Sequence, residues 1–164
     1  MNAAVADAFG GEGFITALLA ELDTATGHLS WVSAGHPPPL LLRRGRLVKT
    51  LDASPMLPLG LGIGQHSGVS RETGHIGTEQ LEPGDSVLLY TDGVVEARSP
   101  RGEMFGVNRL VDLITKNLAS GLPAAETMRR AIRALLGHQS SALADDATLL
   151  LAQWRPEHPE KLLP

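Results

Sequence analysis

One feature constrains this chain more than any other: its hydrophobic period changes once, about two-thirds of the way along. Upstream, apolar residues come in short runs separated by turn chemistry. Downstream, Val107, Leu110, Val111, Ile114 and Leu118 recur at i, i+3, i+4, i+7 and i+11, which marks one face of an α-helix. Pro123 suits the first turn of a second helix. Ala125, Met128, Ile132, Leu135 and Leu136 continue its apolar face, and Gly137 is placed to end it. The two helices are expected over residues 107–119 and 123–136.

The upstream runs have strand length. Residues 14–22 are mostly apolar and read as a strand, 23–27 (Asp-Thr-Ala-Thr-Gly) are turn material, and 28–34 read as a second strand, so 14–34 forms a hairpin. Three prolines at 37–39 sit at a strand entry or edge, because proline cannot donate to a ladder. Strands follow at 40–43 and 46–51, then a Gly- and Pro-rich loop at 52–68. A short strand within 70–79 is an option. Glu82-Pro83-Gly84-Asp85 is a turn, residues 86–91 a buried strand, and 147–153 the last strand after Asp145-Asp146. Several strands, then strand, two helices and strand, predict an α+β domain: layered antiparallel sheet with helices packed outside.

The chain has 164 residues, 43% of them apolar, enough for a core within one domain. Basic and acidic side chains number 14 and 18, a net charge of −4. No basic patch interrupts this balance, which argues against a nucleic-acid partner. There is no cysteine, so a disulfide framework, a thiolate zinc site and a cysteine nucleophile are excluded together. No apolar run reaches the roughly 18 residues needed to span a bilayer, and no secretion signal is evident. The expectation is a soluble cytoplasmic protein without a membrane partner. Residues 155–164, with three prolines and mixed charge, read as a flexible tail after a domain at 1–154.

Chemistry concentrates in three carboxylates. Asp92 closes a buried strand; Asp145 and Asp146 open another. If the two strands are antiparallel neighbours, the three gather at one rim of the sheet. Like charges that close are unfavourable without a cation among them, and an all-oxygen set suits magnesium or manganese. The plainer reading, Asp92-Gly93 as a turn and Asp146 as a strand-start cap, stays open on spacing alone. Gly60, Gly62 and Gly64 form GxGxG rather than GxGxxG, without the strand–helix context of a phosphate loop. His36, in Gly35-His36-Pro37, lies where the chain turns after a strand.

Six motifs in register carry a resemblance: Ala34-Gly35-His36-Pro37-Pro38-Pro39; Pro58-Leu59-Gly60-Leu61; Leu81-Glu82-Pro83-Gly84-Asp85; Leu89-Tyr90-Thr91-Asp92-Gly93-Val94 with Glu96-Ala97; Gly102-Glu103-Met104-Phe105-Gly106; and Asp145-Asp146-Ala147-Thr148-Leu149-Leu150. Together they resemble the stage II sporulation E branch of the metal-dependent serine/threonine phosphatases, the protein phosphatase 2C superfamily, over residues 9–153. The resemblance implies two antiparallel sheets between helices. It implies two manganese or magnesium ions at one end, and a metal-bound water attacking the phosphorus of a phosphoserine in line. Asp92 and Asp145 match the family's metal aspartates; Asp146 stands where asparagine is frequent, as a supplementary or supporting ligand. His36 and its prolines match a signature of the branch and are assigned to shaping the hairpin. The implied substrate is a phosphorylated anti-sigma-factor antagonist in bacterial stress or sporulation-type signalling.

The resemblance also has a gap. The family's earlier Asp-x-x-Gly-His-Gly strand, whose aspartate bridges both metals, has no counterpart in this sequence. The expectation is an N-terminally truncated domain with its first strands missing, and a site for one metal ion or none. The chain alone should then show little or no phosphatase activity, and a homodimer is the expected cover for exposed sheet edges. The alternative function is a non-catalytic, phosphatase-like module that recognises a regulatory partner.

Overall fold

The computed structural model describes residues 2–8, 13–54, 56–61, 75–139 and 146–156. Among the described residues, seven strands and four helices follow in the order α1 (Asn2–Ala8), β1 (Ala17–Leu22), β2 (His28–Ala34), β3 (Leu40–Arg43), β4 (Arg46–Thr50), β5 (Gly77–Gln80), β6 (Ser86–Tyr90), α2 (Asp92–Val95), α3 (Val107–Ala119), α4 (Ala124–Gln139) and β7 (Leu149–Gln153). Two wholly antiparallel sheets result, one ordered β1-β2-β5 and the other β4-β3-β6-β7. The expected α+β layering is therefore present.

The consecutive leucines of β3 explain the layering. Side chains alternate across a strand, so Leu40 and Leu42 point to one face and Leu41 to the other. All three are buried. On one face, Leu40, Leu42, Leu88 and Tyr90 pack with Leu110 and Ile114 of α3 and Ala131 and Leu135 of α4. On the other, Leu41 and Val87 meet Leu29 and Trp31 of the three-stranded sheet, with Leu51, Leu81 and Trp154. The four-stranded sheet is thus the middle layer, covered by α3 and α4 above and the smaller sheet below.

Three local devices fix the layers. The Asp23 carboxylate accepts from the Ala25 amide at 2.9 Å and the Thr26 hydroxyl at 2.7 Å, shaping the β1–β2 turn. That turn is pinned by Trp154, whose indole N–H donates to the Thr24 carbonyl at 2.9 Å and whose ring fills the space a side chain on Gly27 (φ +76°) would need. At the start of β6, the fully buried Asp85 carboxylate takes two hydrogen bonds from Arg43, both 2.8 Å, and one from the Glu82 amide at 2.8 Å. Lys49 of β4 pairs with Glu79 of β5, tying the two sheets together.

Several expectations need correction. The strand expected at 14–22 begins at Ala17; before it, Ile15 makes an isolated bridge to Leu59. The last strand begins at Leu149, not at 147. Helix α4 does not stop at Gly137 but runs to Gln139. Its inward face is Thr127, Ala131 and Leu135, with Met128 and Ala134 partly buried against the core. Ile132 is 46% and Leu136 41% exposed, and Ala125 is exposed too. Residues four apart stack on one helix face, and here the set that meets the sheet contains a threonine and an alanine. Counting large apolar residues therefore rotates the inferred face by about one residue, roughly 90° around the helix, although Met128 and Leu135 belong to both faces. The optional strand at 70–79 is β5; residues 62–74, with Gly62 and Gly64, lie outside the described residues, as do 157–164 of the tail.

Candidate metal centre

The candidate site lies where β6 ends and β7 begins. The two strands are antiparallel neighbours with Tyr90 opposite Leu149, so the end of one lies beside the start of the other. Beyond that register the pairing continues through two threonines. The Thr91 amide donates to the Thr148 carbonyl at 3.1 Å, and the Thr148 amide donates to the Thr91 hydroxyl at 2.9 Å. Thr91 is the N-cap of α2, yet its side chain makes no capping bond; its oxygen is committed to β7 instead.

Asp92 follows as the first residue of α2, a single helical turn. Its carboxylate accepts from the Gly93 amide at 3.0 Å, and its carbonyl accepts from the Glu96 amide at 2.8 Å. The side chain is exposed at the rim, as is Asp146. Gly93 is buried between them: a Cβ there would run into the Asp146 carbonyl oxygen. Only glycine lets the α2 turn sit this close to the backbone before β7. The Asp-Gly pair is thus neither a plain turn nor a free loop; it is a helix start fitted against residue 146.

Of the three expected ligands, the structure brings Asp92 and Asp146 to one rim. Asp145 lies outside the described residues. Among the described residues, no group of three or more His, Asp or Glu side chains is arranged to hold a metal ion. The donors that are present are oxygens on an exposed rim. That set fits a hard ion that keeps several waters, and does not fit zinc, which favours nitrogen and sulfur.

His36 belongs to the same end of the sandwich. Five residues, 35–39, carry the chain from the end of β2 to the start of β3, and Leu40 at that start pairs with Leu88 midway along β6, so the antiparallel β3 is entered from the end of β6 that leads to Asp92. The His36 ring contacts the Thr16 hydroxyl at 3.3 Å, and its carbonyl accepts from the Ser33 hydroxyl at 3.0 Å. Gly35 has φ +68° and faces the Pro58 ring with no room for a side chain. These contacts match the expected shaping role. Tyr90, buried behind the rim, has its hydroxyl pKa raised by burial and then by the negative charge of Asp52, so it stays a neutral donor.

Sequence reasoning missed Thr91 and Thr148. The signal was present: each threonine flanks one of the acidic motifs, at the position where strand pairing must carry the carboxylates into register.

A family model described as Stage II sporulation protein E (SpoIIE) matches residues 1–155. Protein IcfG of Synechocystis is 30% identical over 146 residues, 87% of this chain and 21% of its own length. Phosphoserine phosphatase RsbU of Bacillus subtilis is 30% identical over 139 residues, 84% of this chain and 38% of its own length. This chain therefore spans well under half of either relative. The solved RsbU and RsbW domains of a Mycobacterium tuberculosis protein superpose with a TM-score of 0.68 at 27% identity, covering 87% of this chain and 38% of that one.

Proposed function

We infer the function from one premise: the chain belongs to the Stage II sporulation protein E (SpoIIE) family. Its activity on this reading is metal-dependent hydrolysis of phosphoserine on a protein. The substrate class is an anti-sigma-factor antagonist, in sigma-factor signalling. The observation that carries the reading is the fit of Gly93 against the Asp146 carbonyl, which sets the Asp92 helix start beside the acidic entry to β7. RsbU, which carries phosphoserine phosphatase in its name, supports the reaction class.

Asp92 and Asp146, with Asp145, would hold manganese or magnesium through carboxylate oxygens. The ion, when bound, acidifies water and neutralises phosphate charge. The Thr91–Thr148 bonds hold the two acidic segments at fixed spacing. The exposed rim admits a phosphoserine on a folded partner. No covalent phospho-enzyme is needed, in keeping with the absence of cysteine.

The test is a manganese titration followed by nuclear magnetic resonance, since the paramagnetic ion broadens signals near it. Broadening should start at Asp92, Gly93 and Asp146–Thr148, and Asp92→Asn should abolish it. Manganese-dependent hydrolysis of p-nitrophenyl phosphate, measured alongside, reports turnover. Broadening that ignores Asp92→Asn would overturn the metal site. Clean Asp92-dependent binding of manganese with no turnover, in this chain and also in a version extended at its N-terminus, would instead favour the phosphatase-like binding module.

A further inference from the structure

A second candidate site lies in the helical layer. Between the bend at residues 98–105 and helices α3 and α4 is an open cavity of about 580 Å³, whose lining includes Ser99, Arg101, Glu103, Arg109, Leu113 and His138. That volume is in the range of ligand sites.

Its polar groups are mostly donors with capacity left over. The Ser99 hydroxyl oxygen already accepts from the Arg101 and Glu103 amides, at 3.3 and 3.2 Å, so its proton remains to be donated. Arg109 Nη1 lies 2.9 Å from His138 Nδ1. A guanidinium only donates, so Nδ1 accepts, and the ring proton sits on Nε2, which donates to the Glu103 carbonyl at 2.9 Å. His138 is therefore neutral in this arrangement and acts as a bracket. The Arg109 guanidinium also lies 5.4 Å from the centre of the Phe105 ring, which packs edge-on against His138. Arg109 is thus held at the wall with further N–H groups to offer. The Arg101 side chain is exposed and makes no ion pair among the described residues.

The charge count selects the ligand. Two arginines against Glu103, with His138 neutral, leave one net positive charge. A dianionic phosphate would leave one negative charge uncompensated, whereas a single carboxylate is balanced. Leu113 and Ala134 in the lining suit the methylene stem of an acidic side chain. We propose that this pocket takes the carboxylate side chain of an acidic residue on a protein partner. Ser99 follows Asp92 by seven residues, so the two lie at most about 25 Å apart, a distance that one extended segment can bridge. That the partner is the phosphoprotein substrate rests on the phosphatase reading; capture of the carboxylate does not.

The experiment titrates the chain with acetyl-Leu-Glu-amide and with its glutamine twin, followed by nuclear magnetic resonance. The glutamate peptide should give saturable shifts at Ser99, Arg101 and His138. The glutamine twin should bind about tenfold more weakly, the fold-change of one charge-assisted hydrogen bond. Arg101→Gln changes an exposed side chain and should weaken the glutamate peptide by a similar factor; Arg109→Gln should do the same, and Arg101→Gln decides if Arg109→Gln unfolds. Equal binding of the two peptides, shifts away from the pocket, or tighter binding of inorganic phosphate there would overturn the proposal. Manganese broadening at Asp92 in the same samples reports separately on the phosphatase reading.

Discussion

Asp85→Asn keeps the shape of a fully buried side chain and removes its charge. The native carboxylate accepts both guanidinium bonds from Arg43 and the Glu82 amide. The amide offers one acceptor oxygen and turns two donors toward a guanidinium that can only donate. Removing one member of a buried pair costs about 3–5 kcal/mol. The lower figure applies here, because Arg43 is 27% exposed and can turn to water or to Glu82. About 3 kcal/mol in a domain of this size corresponds to a fall in Tm of roughly 6–12 °C. Burial alone would raise the Asp85 pKa; the Arg43 hydrogen bonds, the Glu82 amide and the charges of Arg43 and Arg44 outweigh it, and the net direction is down. The stabilisation is then fully present above the ordinary aspartate value of about 3.9 and is lost as pH falls through the lower folded value. Urea unfolding followed by circular dichroism should show a gap of about 3 kcal/mol between native and variant at neutral pH, closing in acid below the folded value. A variant as stable as the native chain at neutral pH, or a gap unchanged in acid, would refute the reasoning.

Two further substitutions test the packing and the rim. Ile114→Ala should cost about 2–5 kcal/mol, since Ile114 is fully buried; Ile132→Ala should cost less than about 1 kcal/mol, and equal losses in thermal unfolding would return Ile132 to the core. Gly93→Ala should displace α2 from the Asp146 carbonyl at an overpacking cost of about 1–3 kcal/mol, shifting the amide resonances of residues 146–148 and removing manganese broadening at Asp92. Unchanged resonances there would mean that the backbone yields elsewhere.

Elements whose own side chains decide their burial were legible in the sequence. β2 and α3 occupy the expected residues because alternation in one and a 3.6-residue period in the other were visible within the element, and β3 does because a run of three leucines is bounded by prolines and a turn. β5 was not legible: Gly-Thr-Glu-Gln carries no apolar pattern, and it becomes a strand through its ladder to β2 and the clearance Gly77 gives the Trp31 ring. The inward face of α4 was misread because Thr127 and Ala131 contribute little to a hydrophobic count yet meet the sheet. The three carboxylates were legible as motifs. The side-by-side placement of Asp92 and Asp146 was legible only as a condition on strand order. What fixes their spacing, the Thr91–Thr148 bonds and the missing Gly93 side chain, is a property of two segments more than fifty residues apart.

The middle sheet has a consequence for how the molecule breathes. β3 and β6 are covered on both faces, and Leu41, Leu42 and Leu88 are all but inaccessible. Amide protons there can reach solvent only when both covering layers let go at once, so their exchange is tied to global opening. β1, β5 and β7 lie at sheet edges with outward-facing side chains exposed, and they can fray singly. The rim straddles this divide: Asp92 hangs from the slow strand β6, while Asp146 leads into the edge strand β7. One wall of the acidic rim therefore keeps the time of the whole fold, and the facing wall keeps the faster time of a sheet edge.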